Sequence, residues 1–131
     1  MGKRLWLDDI RKPPFGYDLW AKTADECIAM LQVYDVEHVS LDHDLAAEHY
    51  RDVEAGSAAG HEATTTCPLD RESYREKTGY AVLDWMHEHN AWTPDISVHT
   101  LNPRGAEDML SKLRNSAPAN VVYRRVWPKT A

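Results

Sequence analysis

The chain is short of cysteine, of phenylalanine, of positive charge and of long apolar runs, and each shortage removes a class of protein. Its only cysteines are Cys27, in an apolar helical pattern, and Cys67, in a polar stretch, so neither a disulfide framework nor a thiolate metal knuckle can be read. A reducing, cytoplasmic setting is the expectation. No stretch approaches the roughly 20 apolar residues that a membrane-spanning helix needs, and the N-terminus carries no apolar signal core, so no membrane role is expected. Lys and Arg number 15 against 21 Asp and Glu, a formal net charge of −6. A nucleic-acid backbone demands clustered cations, so no extended nucleic-acid surface is expected, and any phosphate must be small or held through a metal. One Phe stands against five Trp, a bias that no sequence pattern explains. With 131 residues the chain has the size of one domain, and residues 1–131 are read as one.

What is present alternates between short apolar runs and amphipathic segments. Lys3-Arg4-Leu5-Trp6-Leu7 reads as a strand that stops at Asp8-Asp9. Pro13, Pro14 and Gly16 then forbid a helix and mark a loop over residues 10–18. Leu19-Trp20-Ala21-Lys22 reads as a brief second strand. Thr23 with Glu26 forms a capping-box pattern, and Ala24, Cys27, Ile28 and Leu31 follow a helical stripe. Glu37–Leu41 reads as a strand ending in Asp42-His43-Asp44, so the apolar-run-to-acid pattern occurs twice. Residues 46–77, with Gly56–Gly60 and Thr64-Thr65-Thr66, lack apolar periodicity and read as an inserted loop or lid. Tyr80, Leu83 and Met86 define a helix to about His89, Ile96–His99 a strand, and Asn102-Pro103 an N-cap and first-turn proline for a helix through Ala106, Met109, Leu110 and Leu113. Val121-Val122-Tyr123 begins a last strand.

Strands alternating with helices imply an α/β domain with a parallel sheet, right-handed crossovers and helices on both faces. Ligands in such sheets sit beyond the carboxyl ends of the strands. That edge would gather Asp8, Asp9, Asp42, His43, Asp44, His99 and Thr100 from three chain segments. Clustered carboxylates repel one another unless a cation neutralises them or some take up protons. The oxygen ligands Asp8, Asp9, Asp42 and Asp44 point to Mg²⁺ or Mn²⁺, while the neighbouring imidazoles would tilt the site toward Mn²⁺ or Zn²⁺. Asp42 and Asp44 would share one face of an extended strand, with His43 opposite, although alternation often fails at a strand end.

Simpler roles stand beside these. Acids at strand ends often cap helices or stabilise turns. His99 suits a satisfied core histidine, and Asn102 a plain N-cap. Arg11 and Arg104 suit phosphate ligands, yet Arg104 could equally pair with Glu107 or Asp108. His87 and His89 read as solvent-facing, while His49 and His61 belong to the inserted loop, from where they could close over the site.

Taken together, Trp6-Leu7-Asp8-Asp9-Ile10-Arg11-Lys12-Pro13, Trp20 with Thr23, Ser40-Leu41-Asp42-His43-Asp44-Leu45, Thr78-Gly79-Tyr80 and Val98-His99-Thr100-Leu101-Asn102-Pro103 resemble the cyclic-phosphate-processing receiver-like domains. The resemblance covers most of residues 4–114 apart from the insertion. It implies a three-layer, flavodoxin-like sheet of about five strands, order 2-1-3-4-5, with the first helix replaced by a loop. By analogy with signalling receivers it also implies that Asp8 and Asp9 match the Mg²⁺-holding acid pair, Asp42 the phospho-acceptor and Thr100 the hydroxyl residue after the fourth strand. The receiver lysine after the fifth strand has no counterpart, because Tyr123-Arg124-Arg125-Val126-Trp127-Pro128 offers only arginines.

The expected function is therefore a metal-dependent phosphoesterase, or binder, for a cyclic phosphate: an RNA 2′,3′-cyclic phosphate end or a nucleotide-derived cyclic ester. Asp8, Asp9 and Asp42 would hold the cation, His43 or His99 would serve as acid or base, and Arg11 and Arg104 would clamp the phosphate, beside Thr100 and Asn102. Two rivals are a signalling receiver phosphorylated on Asp42 and a non-catalytic cyclic-phosphate sensor.

Overall fold

The computed structural model describes residues 2–45 and 77–126, so the expected lid at 46–77, apart from Lys77, lies outside the described residues. Among the described residues, five strands and three helices occur in the order β1 Lys3–Leu7, β2 Leu19–Ala21, α1 Ala24–Val33, β3 Val36–Leu41, α2 Tyr80–His89, β4 Asp95–Val98, α3 Pro103–Ser116 and β5 Val122–Arg125. The helix starts obey their sequence signals. Glu26 N donates to Thr23 Oγ1 at 3.1 Å while Lys22 N donates to Glu26 Oε1 at 3.0 Å. At α3, Gly105 N donates to Asn102 Oδ1 at 3.1 Å, and Pro103 opens the first turn. Asn90 ends α2 in the left-handed region, at φ 49°.

The sheet is wholly parallel, in the order β2-β1-β3-β4-β5, which is the receiver arrangement. From β2 to β3, β4 and β5 the chain steps across the sheet in one direction, so right-handed crossovers place α1, α2 and α3 on the same face. The step from β1 to β2 runs the other way, and Pro13 and Pro14 make it a loop where a receiver has a helix. Helices on both faces are thus not found among the described residues.

Side-chain alternation follows this division. Leu5, Leu7, Val39, Leu41, Ile96 and Val98 face the helices and join Val82, Leu83, Met86, Met109 and Leu113 in one fully buried core. Each such side chain contributes about 1.5–3 kcal/mol of burial. The opposite face carries Trp6, Ser40 and Ser97 side by side in register, with Arg4, His38 and Asp95 one pleat below.

The β1–β2 loop closes over that polar face by hydrogen bonds. The indole N–H groups of Trp6 and Trp20 donate to the carbonyls of Arg11 and Asp8 at 2.8 and 2.7 Å. Tyr17 Oη meets His38 Nε2 at 2.7 Å, and His38 Nδ1 meets Asp95 Oδ2 at 2.9 Å. Two of the five tryptophans therefore have a physical role, as donors that hold a loop no helix stabilises.

Candidate metal centre at the strand ends

The sheet ladder continues one residue past the ends of three strands. Asp8 N donates to Ala21 O, Asp42 N to Leu7 O and His99 N to Leu41 O, each at 3.0 Å. Alternation is therefore preserved, and Asp8, Asp42 and His99 leave the sheet on the face of Trp6, Ser40 and Ser97. Their ligand atoms lie within 4.8 Å of one another and all three residues are buried.

Each member has a distinct environment. Asp8 Oδ1 accepts from the backbone N–H of Ile10 at 2.9 Å and of Arg11 at 2.8 Å, while Oδ2 lies 3.1 Å from His99 Nε2 and 3.3 Å from Arg11 Nη1. Burial alone would raise the Asp8 pKa, but the His99 contact and those two N–H groups outweigh it and hold the carboxyl below its ordinary value. Asp42 Oδ1 accepts from His43 N at 2.8 Å. Its Oδ2 is buried without a hydrogen-bond partner, 3.6 Å from Arg11 Nη1. Burial, then the charges of Asp8 and Asp44, push Asp42 up to about 8, against the pull of the Thr100 hydroxyl and Arg11.

His99 stacks on Trp6 with ring centroids 3.8 Å apart and planes 5° from parallel. Its Nδ1 lies 2.7 Å from Ser40 Oγ. Burial lowers its pKa although Asp8 opposes the shift, so the ring is neutral near pH 7. A neutral imidazole has one N–H, and both contacts are satisfied when Nε2–H donates to Asp8 and the Ser40 hydroxyl donates to Nδ1.

The other expected site residues divide. His43 leaves β3 on the helix face and lies fully buried beneath α3, where a Cβ on Gly105 would come within 2.5 Å of its ring. His43 Nδ1 meets Asp44 Oδ1 at 2.9 Å, and Asn102 Nδ2 donates to the same oxygen at 3.2 Å. His43, Asp44 and Asn102 thus form a second polar cluster that ties the end of β3 to the start of α3. Asp44 lies beyond the end of β3 at Leu41, with its Oδ1 against His43 and Asn102. Asp9 is half-buried just past Asp8 and, like Asp44, is not among the three grouped metal-ligating residues. Thr100 is buried beside Asp42, its Oγ1 accepting from Asn102 N at 3.1 Å. Arg104 pairs along its own helix, Nε to Asp108 Oδ1 at 3.6 Å.

Three contributors escaped the sequence reading. Ser40 and Trp6 sit inside strands, where only pairing with β4 reveals that they hold His99. Arg125 closes β5 opposite Val98 and donates from Nη2 to Thr100 O at 3.4 Å. Its placement at the end of the fifth strand, where a receiver carries lysine, was the available signal.

Two carboxylates and one imidazole, with a buried acceptor oxygen lacking a donor, fit a divalent cation. The imidazole favours Mn²⁺ or Zn²⁺ over Mg²⁺. Among known families, residues 3–115 match the family model for the cyclic-phosphate processing receiver domain. A comparison with curated proteins finds no match. Among the described residues, no helix is long and apolar enough to cross a membrane.

Proposed function

The chain belongs to the cyclic-phosphate processing receiver family, and from that premise we propose that it is a metal-dependent phosphoesterase. Its substrate would be a cyclic phosphate, such as an RNA 2′,3′-cyclic phosphate end or a nucleotide-derived cyclic ester. The observation that carries this reading is the buried Asp8, Asp42 and His99 group, in which Asp42 Oδ2 accepts no hydrogen bond and has the Arg11 guanidinium 3.6 Å away. Such a group is stable when a cation supplies the missing partner.

A divalent cation, when bound there, supplies Lewis-acid polarisation of a phosphoryl oxygen and acidifies a water. Asp8 and Asp42 contribute the negative charge and His99 Nε2 the third ligand atom. With that nitrogen committed, His99 would be a ligand rather than a general base, and His43, packed against Gly105 of α3, would be a structural group. Arg11, whose Nη1 stands beside both carboxylates, would supply the guanidinium that meets the phosphate. In the reaction the water oxygen bonds to phosphorus and one ring P–O ester bond breaks. The departing oxygen takes a proton to become an alcohol, and a phosphomonoester remains.

Adenosine 2′,3′-cyclic phosphate incubated with the chain and Mn²⁺, followed by ³¹P NMR, tests the reading. Monoester should accumulate, chelation should stop it, and Asp8→Asn and Asp42→Asn should each slow it about a hundredfold or more. Turnover unchanged in Asp42→Asn would remove the centre of the mechanism. Binding without product would favour a sensor, and a phosphoryl adduct on Asp42 after acetyl phosphate treatment would favour a signalling receiver.

A further inference from the structure

Arg11 occupies an unusual place for a substrate ligand. Its Nη1 lies 3.3 Å from Asp8 Oδ2 and 3.6 Å from Asp42 Oδ2, the two oxygens that would hold the cation. Its backbone is fixed on both sides: Arg11 N donates to Asp8 Oδ1 at 2.8 Å, and Arg11 O accepts from Trp6 Nε1 at 2.8 Å. Only the side chain is left to move, and it is 26 % exposed while both carboxylates are almost wholly buried. A divalent ion stands about 2.0–2.2 Å from carboxylate oxygens. An ion held by Asp8 Oδ2 and Asp42 Oδ2 would set a second positive charge against the same two oxygens that Nη1 contacts. Like charges at that range repel one another.

We infer that Arg11 is a built-in counter-ion for the Asp8–Asp42 pair, which the incoming cation displaces and so delivers to the phosphate of the substrate. The inference rests on the proposed cation site and adds an order of events to it. Before the ion arrives, the guanidinium lies against both carboxyl groups and offsets the charge they carry. Once displaced, it remains tethered at the rim by its fixed backbone, with a planar fork of donors suited to phosphate oxygens. Cation and phosphate then assist each other: the ion frees the arginine for the anion, and the anion keeps the arginine from returning to the carboxylates. Such coupling is reciprocal, each ligand strengthening the other by the same factor.

The test is a Mn²⁺ titration of the full chain, followed by electron paramagnetic resonance of free Mn²⁺, with and without inorganic phosphate as the anionic probe. In the unsubstituted protein, phosphate should tighten Mn²⁺ binding about fivefold or more. In Arg11→Ala, Mn²⁺ alone should bind tighter than in the unsubstituted protein, because no cation has to be displaced, and the phosphate effect should vanish. Arg11→Lys, which keeps the charge without the fork, should retain the competition with Mn²⁺ and lose most of the phosphate effect. If Mn²⁺ binds the unsubstituted protein but Arg11→Ala binds it more weakly, or keeps the full phosphate effect, the counter-ion inference is overturned and the cation site stands. If the unsubstituted protein and both folded variants bind no Mn²⁺, the cation site falls and this inference with it.

Discussion

Two residues of one type, two positions apart, have different fates in this chain. Asp42 remains on the ladder and faces Asp8 and His99, whereas Asp44, past the end of β3, is held by His43 and Asn102. Burial, reinforced by Asp8 and Asp44, raises Asp42 to about 8, so without a cation the folded chain prefers it protonated. A raised carboxyl contributes stability that is present at low pH and is lost as pH climbs from the ordinary value of 3.8 through about 8. His38 and His99 are both lowered by burial, so their contribution rises with pH and is complete once pH passes about 6.5. Between about pH 6.5 and 8, Asp42 is therefore the shifted group that moves stability, and it moves it downward. The melting temperature of the metal-free protein should fall across that window, and Asp42→Asn should flatten the fall. An unchanged slope in the variant would place the titration elsewhere.

At the scale of elements, the strands and helices were legible because their signals are local. The Thr23–Glu26 cap, the Asn102-Pro103 helix start and the apolar runs at Leu5–Leu7 and Val39–Leu41 each announce themselves within a few residues. Strand alternation already set His43 opposite Asp42, but that His99 joins Asp42 on its side was not legible, because it depends on how far the β4 ladder continues beyond its strand. Pro13 and Pro14 did reveal the missing first helix, but its consequence, a sheet face sealed by Trp6, Trp20 and Tyr17 hydrogen bonds, needs contacts between residues distant in sequence. The role of Gly79 was hidden for the same reason. It donates to His43 O at 2.9 Å, and a Cβ there would stand 1.7 Å from the Asp42 carbonyl oxygen, so α2 can rest on the end of β3 only through a glycine. Gly79→Ala should destabilise the domain by about 1–3 kcal/mol and weaken cation binding by shifting Asp42. Denaturant unfolding and Mn²⁺ titration of that variant check both effects, and a variant equal to the parent in both would show that α2 does not fix the site.

For the whole molecule, the receiver topology serves to bring three strand ends to one edge, and the chain has altered what surrounds that edge. The three described helices cover one sheet face with an apolar core, while the other carries a polar band running from Asp95 and His38 through Ser40 to His99 and Asp8. That band supports the edge: Ser40 and Trp6 orient His99, and the loop above it carries Arg11. The central claim is that Asp8, Asp42 and His99 supply the ligands of one divalent-cation site, with the His43–Asp44–Asn102 cluster beside it and not among its ligands. Calorimetric Mn²⁺ titration of the parent chain, Asp42→Asn and Asp44→Asn, each first shown to be folded by circular dichroism, tests it most directly. The expected result is one ion per chain in the parent, binding weakened about a hundredfold or more in Asp42→Asn, and one ion still bound in Asp44→Asn. No binding by the parent, or binding kept in Asp42→Asn and lost in Asp44→Asn, would contradict it.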